Sequence, residues 1–132
     1  MAHFAEIDSN NKVLRVVVGC NDDVAKHGGD QSVEAEENFK KTVPLSSNGV
    51  RWVQTSYSGS FRGHYAAIGD IFDSNLNIFK NEQPFPSWTL DTNTGRYIPP
   101  VPLPDTLFKR YFIWDEELQN WKLDPQYDIT VE

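Results

Sequence analysis

The side chains that most often do chemistry are thinly spread along this chain. Its three histidines, His3, His27 and His64, fall in no HExxH or His–Cys spacing that would hold zinc. Cys20 and His27 would make a nucleophile–base pair only if the thiol were activated by a neighbouring cation or a helix N-terminus. Nothing beside Cys20 signals that, so the expectation is a buried cysteine at a strand end and a solvent histidine in a glycine loop. Asp70 with Asp73, and Asp115-Glu116-Glu117, are the nearest approach to the carboxylate pair of a glycosidase, but they read better as turns and solvated faces. Asp8-Ser9-Asn10-Asn11 and Asp22-Asp23 lack the glycine and distal glutamate of an EF-hand loop. Gly59-Ser60-Phe61-Arg62-Gly63 lacks the Lys-Ser/Thr of a phosphate cradle. The sequence therefore assigns no catalytic residue, no metal and no cofactor.

Aromatic residues offer a different chemistry. Trp88, Tyr97, Trp114 and Trp121 lie among prolines, where flat rings would stack on a sugar or on a partner's side chains. The competing reading is that they fill the small core of a β-rich tail. Arg62 and Tyr65, beside Gly63 and Gly69, form a second candidate contact, against a reading as local packing.

The elements that must position these residues are mostly strands. Phe4–Ile7 alternates, residues 8–11 are turn formers, and Val13–Val18 is β-branched without clean alternation, which predicts a central, buried strand. Residues 21–32, polar and carrying Gly28-Gly29, read as a flexible surface loop. One short helix follows. Ser32 caps it, Glu34, Glu36 and Glu37 suit its N-terminal end, and Glu36–Lys40 and Glu37–Lys41 are spaced as surface ion pairs. Val33, Ala35 and Phe39 give it a thin apolar face, and Val43-Pro44 stops it. Residues 50–57 are strand-like, 61–69 return as a strand loosened by two glycines, and Ile71-Phe72 opens another. Seven of the eight prolines lie from Pro84 onward, so Pro84-Phe85-Pro86 and residues 99–104 are predicted to run as extended polyproline-like spacers.

A local pattern recurs four times: an apolar residue, an Asp, several polar residues, then a large apolar residue. It occurs at Ile7-Asp8…Val13, Phe72-Asp73…Phe79, Leu90-Asp91…Tyr97 and Trp114-Asp115…Trp121. An Asp in the first turn position accepts hydrogen bonds from backbone amides two or three residues on. Asn77, Gly95 and Asn120 are placed to take the left-handed conformation that closes each hairpin, and the flanking aromatics then pair across the strands.

The whole is 132 residues, enough for one modest core. The expectation is a single mainly β domain, 1–132: a small antiparallel N-terminal sheet with one short helix over 1–83, then a Pro-linked arm of successive aromatic hairpins over 84–132. Thirty-nine per cent hydrophobic and 13 per cent aromatic residues exclude a disordered chain, and a single cysteine excludes an internal disulfide framework. A net charge of −7 argues against nucleic acid and against an anionic membrane as partners. The polar start MAHFAEIDSNN does not resemble a signal peptide, and a soluble protein of a reducing compartment is expected.

Several stretches together resemble a family of small proteins encoded by marine tailed bacteriophages, cyanophages above all. They are the opening MAHFAEID, Trp52–Tyr57, Arg62-x-x-Tyr65-Ala66-x-Ile68-Gly69, Pro86-Ser87-Trp88-x-Leu90, the prolines at 99, 100, 102 and 104, and Tyr111-x-x-Trp114-Asp115-Glu116 with Trp121. The order and spacing carry the resemblance. Residues 21–49 match least, and Phe108-Lys109-Arg110 and the tail after Trp121 are longer than in the resembled pattern. The resemblance implies a phage gene product and a minor virion component, with no catalytic residues to carry over. The expected function is a non-enzymatic virion accessory protein, a capsid decoration or a neck or tail component, made in the bacterial host cytoplasm and located in the virion. Its partners would be other phage structural proteins of capsid or tail, or further copies of itself. The alternatives are a carbohydrate-binding or host-recognition module and an intracellular phage protein that binds a host factor.

Overall fold

The computed structural model describes residues 1–104 and 112–127. The protein is mainly β. Its strands are β1 (Ala2–Ile7), β2 (Val13–Gly19), β3 (Arg51–Thr55), β4 (Ile71–Asp73), β5 (Ile78–Lys80), β6 (Thr89–Asp91), β7 (Arg96–Ile98), β8 (Phe112–Asp115) and β9 (Asn120–Leu123). Two helices, α1 (Asn21–Lys26) and α2 (Val33–Thr42), lie between β2 and β3. The expected motif Phe108-Lys109-Arg110-Tyr111 and the tail 128–132 lie outside the described residues. Among the described residues, no helix is long and apolar enough to cross a membrane.

The chain packs as two compact units, Met1–Glu82 with Asp91–Arg96, and Gln83–Leu90 with Tyr97–Glu132. The first is built on an antiparallel sheet ordered β2-β1-β3. The central strand is thus β1, not the valine-rich β2. The reason is visible in where the valines go: Val16 packs on one face of the sheet and Val17 on the other. Broken alternation in β2 reflects apolar contacts on both faces of an edge strand rather than a central position: Val16 and Val17 are half-buried on opposite faces, and Val18 is exposed. One face carries Ala5, Ile7, Val13 and Val53 against Ala66, Phe72 and Phe79. The other carries Phe4 and Trp52 against Val24, Ala35 and Phe39, with Phe4 and Phe39 stacked at 4.2 Å and Trp52 edge-on to Phe39 at 4.9 Å. Each of these large side chains contributes about 1.5–3 kcal/mol by leaving water.

Glu6 is fully buried, and each of its two carboxylate oxygens accepts two hydrogen bonds. Its Oε1 accepts from Arg15 Nε (3.1 Å) and Ser46 Oγ (2.6 Å), and its Oε2 from Arg15 Nη2 (3.1 Å) and Ser46 N (2.7 Å). Burial pushes the carboxyl upward, but the hydrogen bonds from Arg15 and Ser46 outweigh it and hold Glu6 below the usual glutamate range. The same guanidinium lies over the Trp52 ring at 5.0 Å and donates to the Pro44 carbonyl, which ties the segment after α2 to the sheet.

Three further sequence expectations are corrected. Residues 21–26 form α1 rather than loop, with Asp22 and Asp23 in its first turn and Val24 buried against the sheet. One inward valine is enough to hold a helix too short to show a periodic signal. Residues 61–69 do not return as a strand and make one isolated bridge, Gly63 to Phe79. Arg62 (φ 54°), Gly63 (φ 78°) and Gly69 (φ 95°) all adopt left-handed backbone, which breaks strand geometry. Ser32 caps α2 by accepting from Ala35 N, but Glu36 turns inward instead of pairing with Lys40 at the surface, and Glu37 takes Lys40 at 3.1 Å.

All four recurrent Asp motifs fold as hairpins. Asp8 accepts from Asn10 N and Lys12 N, Asp73 from Asn75 N and Leu76 N, Asp91 from Asn93 N, and Asp115 from Leu118 N. Asn77 (φ 56°) and Gly95 (φ 74°) take the left-handed position, whereas in the last hairpin Gln119 (φ 49°) takes it and Asn120 begins β9. Phe72 faces Phe79 and Trp114 faces Trp121 across their hairpins.

Candidate functional site

The second unit is organised around tryptophan. The β8–β9 hairpin sets Trp114 and Trp121 directly opposite each other, edge to face at 5.4 Å. Trp88 closes the triad at 5.7 Å from Trp114 and 6.0 Å from Trp121, and Phe85 packs beside Trp88 at 5.7 Å. Pro84-Phe85-Pro86 does not extend as a spacer: it bends into a turn that Trp88 N closes by donating to the Phe85 carbonyl. Two prolines with preset φ make that turn as readily as a polyproline segment, and the ring of Phe85 gains a partner by it.

The three indoles differ in their surroundings. Trp114 is buried, and its Nε1–H donates to Glu116 Oε1 at 2.8 Å. Glu116 also accepts from Ser87 Oγ (2.6 Å) and Ser87 N (3.1 Å); these bonds with that of Trp114 hold its carboxyl below the usual glutamate range against a smaller opposing effect of burial. Asp115 is likewise lowered, by the Leu118 amide and Lys122. Trp121 is half-buried and donates to the Val101 carbonyl at 2.8 Å. Trp88 is half-buried as a residue, yet its Nε1 is shielded and has no acceptor among the described residues. An N–H left this way costs about 1–3 kcal/mol. Tyr97 lies half-buried on β7. Trp114 thus serves as the unit's own packing centre, while Trp88, Trp121 and Tyr97 each keep some surface.

Arg62 and Tyr65 belong to the first unit, where each has its own partners. The Arg62 guanidinium is buried: Nη1 donates to Glu36 Oε2 (2.8 Å) and the Gln54 carbonyl (3.0 Å), and Nε to Asn77 Oδ1 (3.0 Å). It lies over Phe72 at 5.4 Å, and Glu36 in turn accepts from Gln54 N. Arg62 is therefore a staple joining α2, β3 and the β4–β5 turn, with its donors engaged internally. Tyr65 packs against Tyr57 (5.1 Å) and His3 (5.4 Å), and Tyr57 is 74 % exposed. Tyr57 also borders a cleft of about 250 Å³ whose polar floor, Gln54 and Ser56, is bonded to Asp30, Gln31 and Ser60.

The remaining chemical candidates are pulled apart. Cys20 is exposed, not buried, at the start of α1, and His27 stands at the other end with Nδ1 against the Asp23 carbonyl. Asp73 is committed to its turn and to Lys80 at 3.1 Å. Asp70 instead faces His64, with Oδ2 2.8 Å from Nε2, an association that sequence spacing did not show. Neither a protein-family model nor a curated protein nor a solved structure matches this chain.

Proposed function

We propose that this protein is a non-enzymatic accessory component of a bacteriophage virion, and that its tryptophan-bearing hairpin unit binds a neighbouring virion subunit. The observation that carries the reading is the Trp88 indole N–H, shielded and without an acceptor among the described residues, set in a cluster whose outer rings remain half-exposed. A partner that lays an apolar segment on Trp88 and Trp121 would cover the half-exposed rings, and a shift of the Phe85–Trp88 turn on docking would open the shielded donor to a partner carbonyl. The phage setting is supported by the resemblance of the chain's ordered motifs. Internal commitment of Arg62 and the separation of Cys20 from His27 favour binding over catalysis.

Mass spectrometry of purified virions tests the setting: many copies favour decoration, a few favour neck or tail, and absence removes the reading. Trp88→Phe, which keeps a ring and deletes the N–H, tests the site. It should leave the free protein folded and reduce incorporation into virions; unchanged incorporation would refute the contact.

A further inference from the structure

His64 is buried, and both of its ring nitrogens face acceptors. Nε2 lies 2.8 Å from Asp70 Oδ2, and Nδ1 lies 2.6 Å from the Thr94 carbonyl. A carbonyl can only accept, so Nδ1 must carry a proton. Asp70 takes donors from two other directions, Ala67 N on Oδ2 (2.9 Å) and Asn81 Nδ2 on Oδ1 (3.2 Å), which is the bonding of a carboxylate; Asn81 Nδ2 also lies 3.4 Å from Nε2, too far to compete with the 2.8 Å contact to Asp70, so Nε2 carries a proton as well. The geometry is that of a buried imidazolium clamped between an anion and a main-chain carbonyl. Its other neighbours add no titratable group: Asn81 follows β5, where Lys80 is turned to Asp73, and in the 91–96 turn Asp91 holds the Asn93 amide.

We propose that His64 is a protonation-dependent latch for the 91–96 turn of the first unit, a property independent of the virion reading. With both protons the ring joins Asp70 to Thr94. When one is lost, the remaining proton stays between Nε2 and the Asp70 charge, and two lone pairs then confront each other at Nδ1 and the Thr94 oxygen. Among the described residues the turn keeps only the bond from Asn81 N to the Gly95 carbonyl (2.9 Å) as a backbone tie to the strand beside it. It therefore lifts from Phe79 and Gly63 while the rest of the unit stays folded.

The test is a titration of the full chain by NMR from about pH 5 to about pH 9, the range in which histidine changes charge. The His64 ring nitrogens and the exchange of the Gly95 and Asn81 amides are read in the same samples. The expected result is an imidazolium signature at the acid end and, as it disappears, a roughly tenfold rise in exchange at both amides beyond base catalysis, with the β1–β3 amides unchanged. A neutral ring with the turn still protected would overturn the proposal. So would a ring that keeps both protons until the whole chain unfolds, because a latch must open on a folded body.

Discussion

Replacing Glu6 with Gln measures how far one buried carboxylate holds the first unit together. The substitution keeps the shape and removes the charge. Four donors converge on Glu6, two on each oxygen, whereas an amide offers a single oxygen and turns two of its own hydrogens toward the others. Hydrogen bonds to a charged group contribute about 1.5–3 kcal/mol each, with the Arg15 pair at the low end because that side chain is 38 % exposed. Two lost bonds, partly offset by rotation of the Ser46 hydroxyl, give an expected destabilisation of about 2–4 kcal/mol. Urea denaturation followed by far-ultraviolet circular dichroism at neutral pH reads it as a lower midpoint. Acid supplies the second arm. Glu6 is lowered in the folded protein, so its contribution is complete above the unfolded glutamate value near ~4.3 and is lost as pH falls through the folded value. Gln cannot titrate, so the gap between the two proteins should close in acid. A loss below about 1 kcal/mol, or a gap that stays constant in acid, would refute the assigned role.

Gly95→Ala should unseat the 91–96 turn and cost about 2–3 kcal/mol, because Gly95 has φ 74° and a Cβ would run into the Phe79 carbonyl; amide exchange at Gly95 and thermal melting report it. Trp114→Ala should abolish amide protection in β8 and β9 while β1–β3 keep theirs, in line with the ~3–5 kcal/mol that a buried tryptophan gives. Asp73→Ala should weaken the β4–β5 turn by about 1 kcal/mol through two lost amide bonds, seen as faster exchange at Leu76. Cys20→Ser, at an exposed position, should shift stability by no more than about 0.5 kcal/mol.

What the sequence revealed was whatever a few neighbouring residues decide. The Asp turns, the Ser32 cap and the facing aromatic pairs depend on spacings of eight residues or fewer along the chain, and they folded as their chemistry directs. Gln119 in place of Asn120 shows the resolution of such reasoning, since either residue tolerates the left-handed turn and the strand register chooses between them. Position within the sheet was not legible, because a run of valines reads alike in a central strand and in an edge strand whose valines are half-buried on both faces. Nor were the sites. Arg62 meets Glu36, and His64 meets Thr94, across stretches of chain that no motif marks. The aromatic residues of 84–121 were visible as a set, but which indole would be spent on packing and which left with surface depended on where Ser87, Glu116 and Val101 came to rest.

The edge-to-face meeting of Trp114 and Trp121 also has an optical consequence. Two indoles held at 5.4 Å and 78° couple their electronic transitions, and coupled transitions split into a circular-dichroism couplet that neither ring gives alone. Trp52, the fourth tryptophan, belongs to the first unit, under Arg15 and edge-on to Phe39. The couplet thereby serves as a built-in gauge of the β8–β9 hairpin, to which Trp52, set against Phe39 and not against another indole, contributes no pair of its own. Anything that settles on the exposed rim of the triad would register as a change in the couplet's amplitude, with no label attached and before any partner is named.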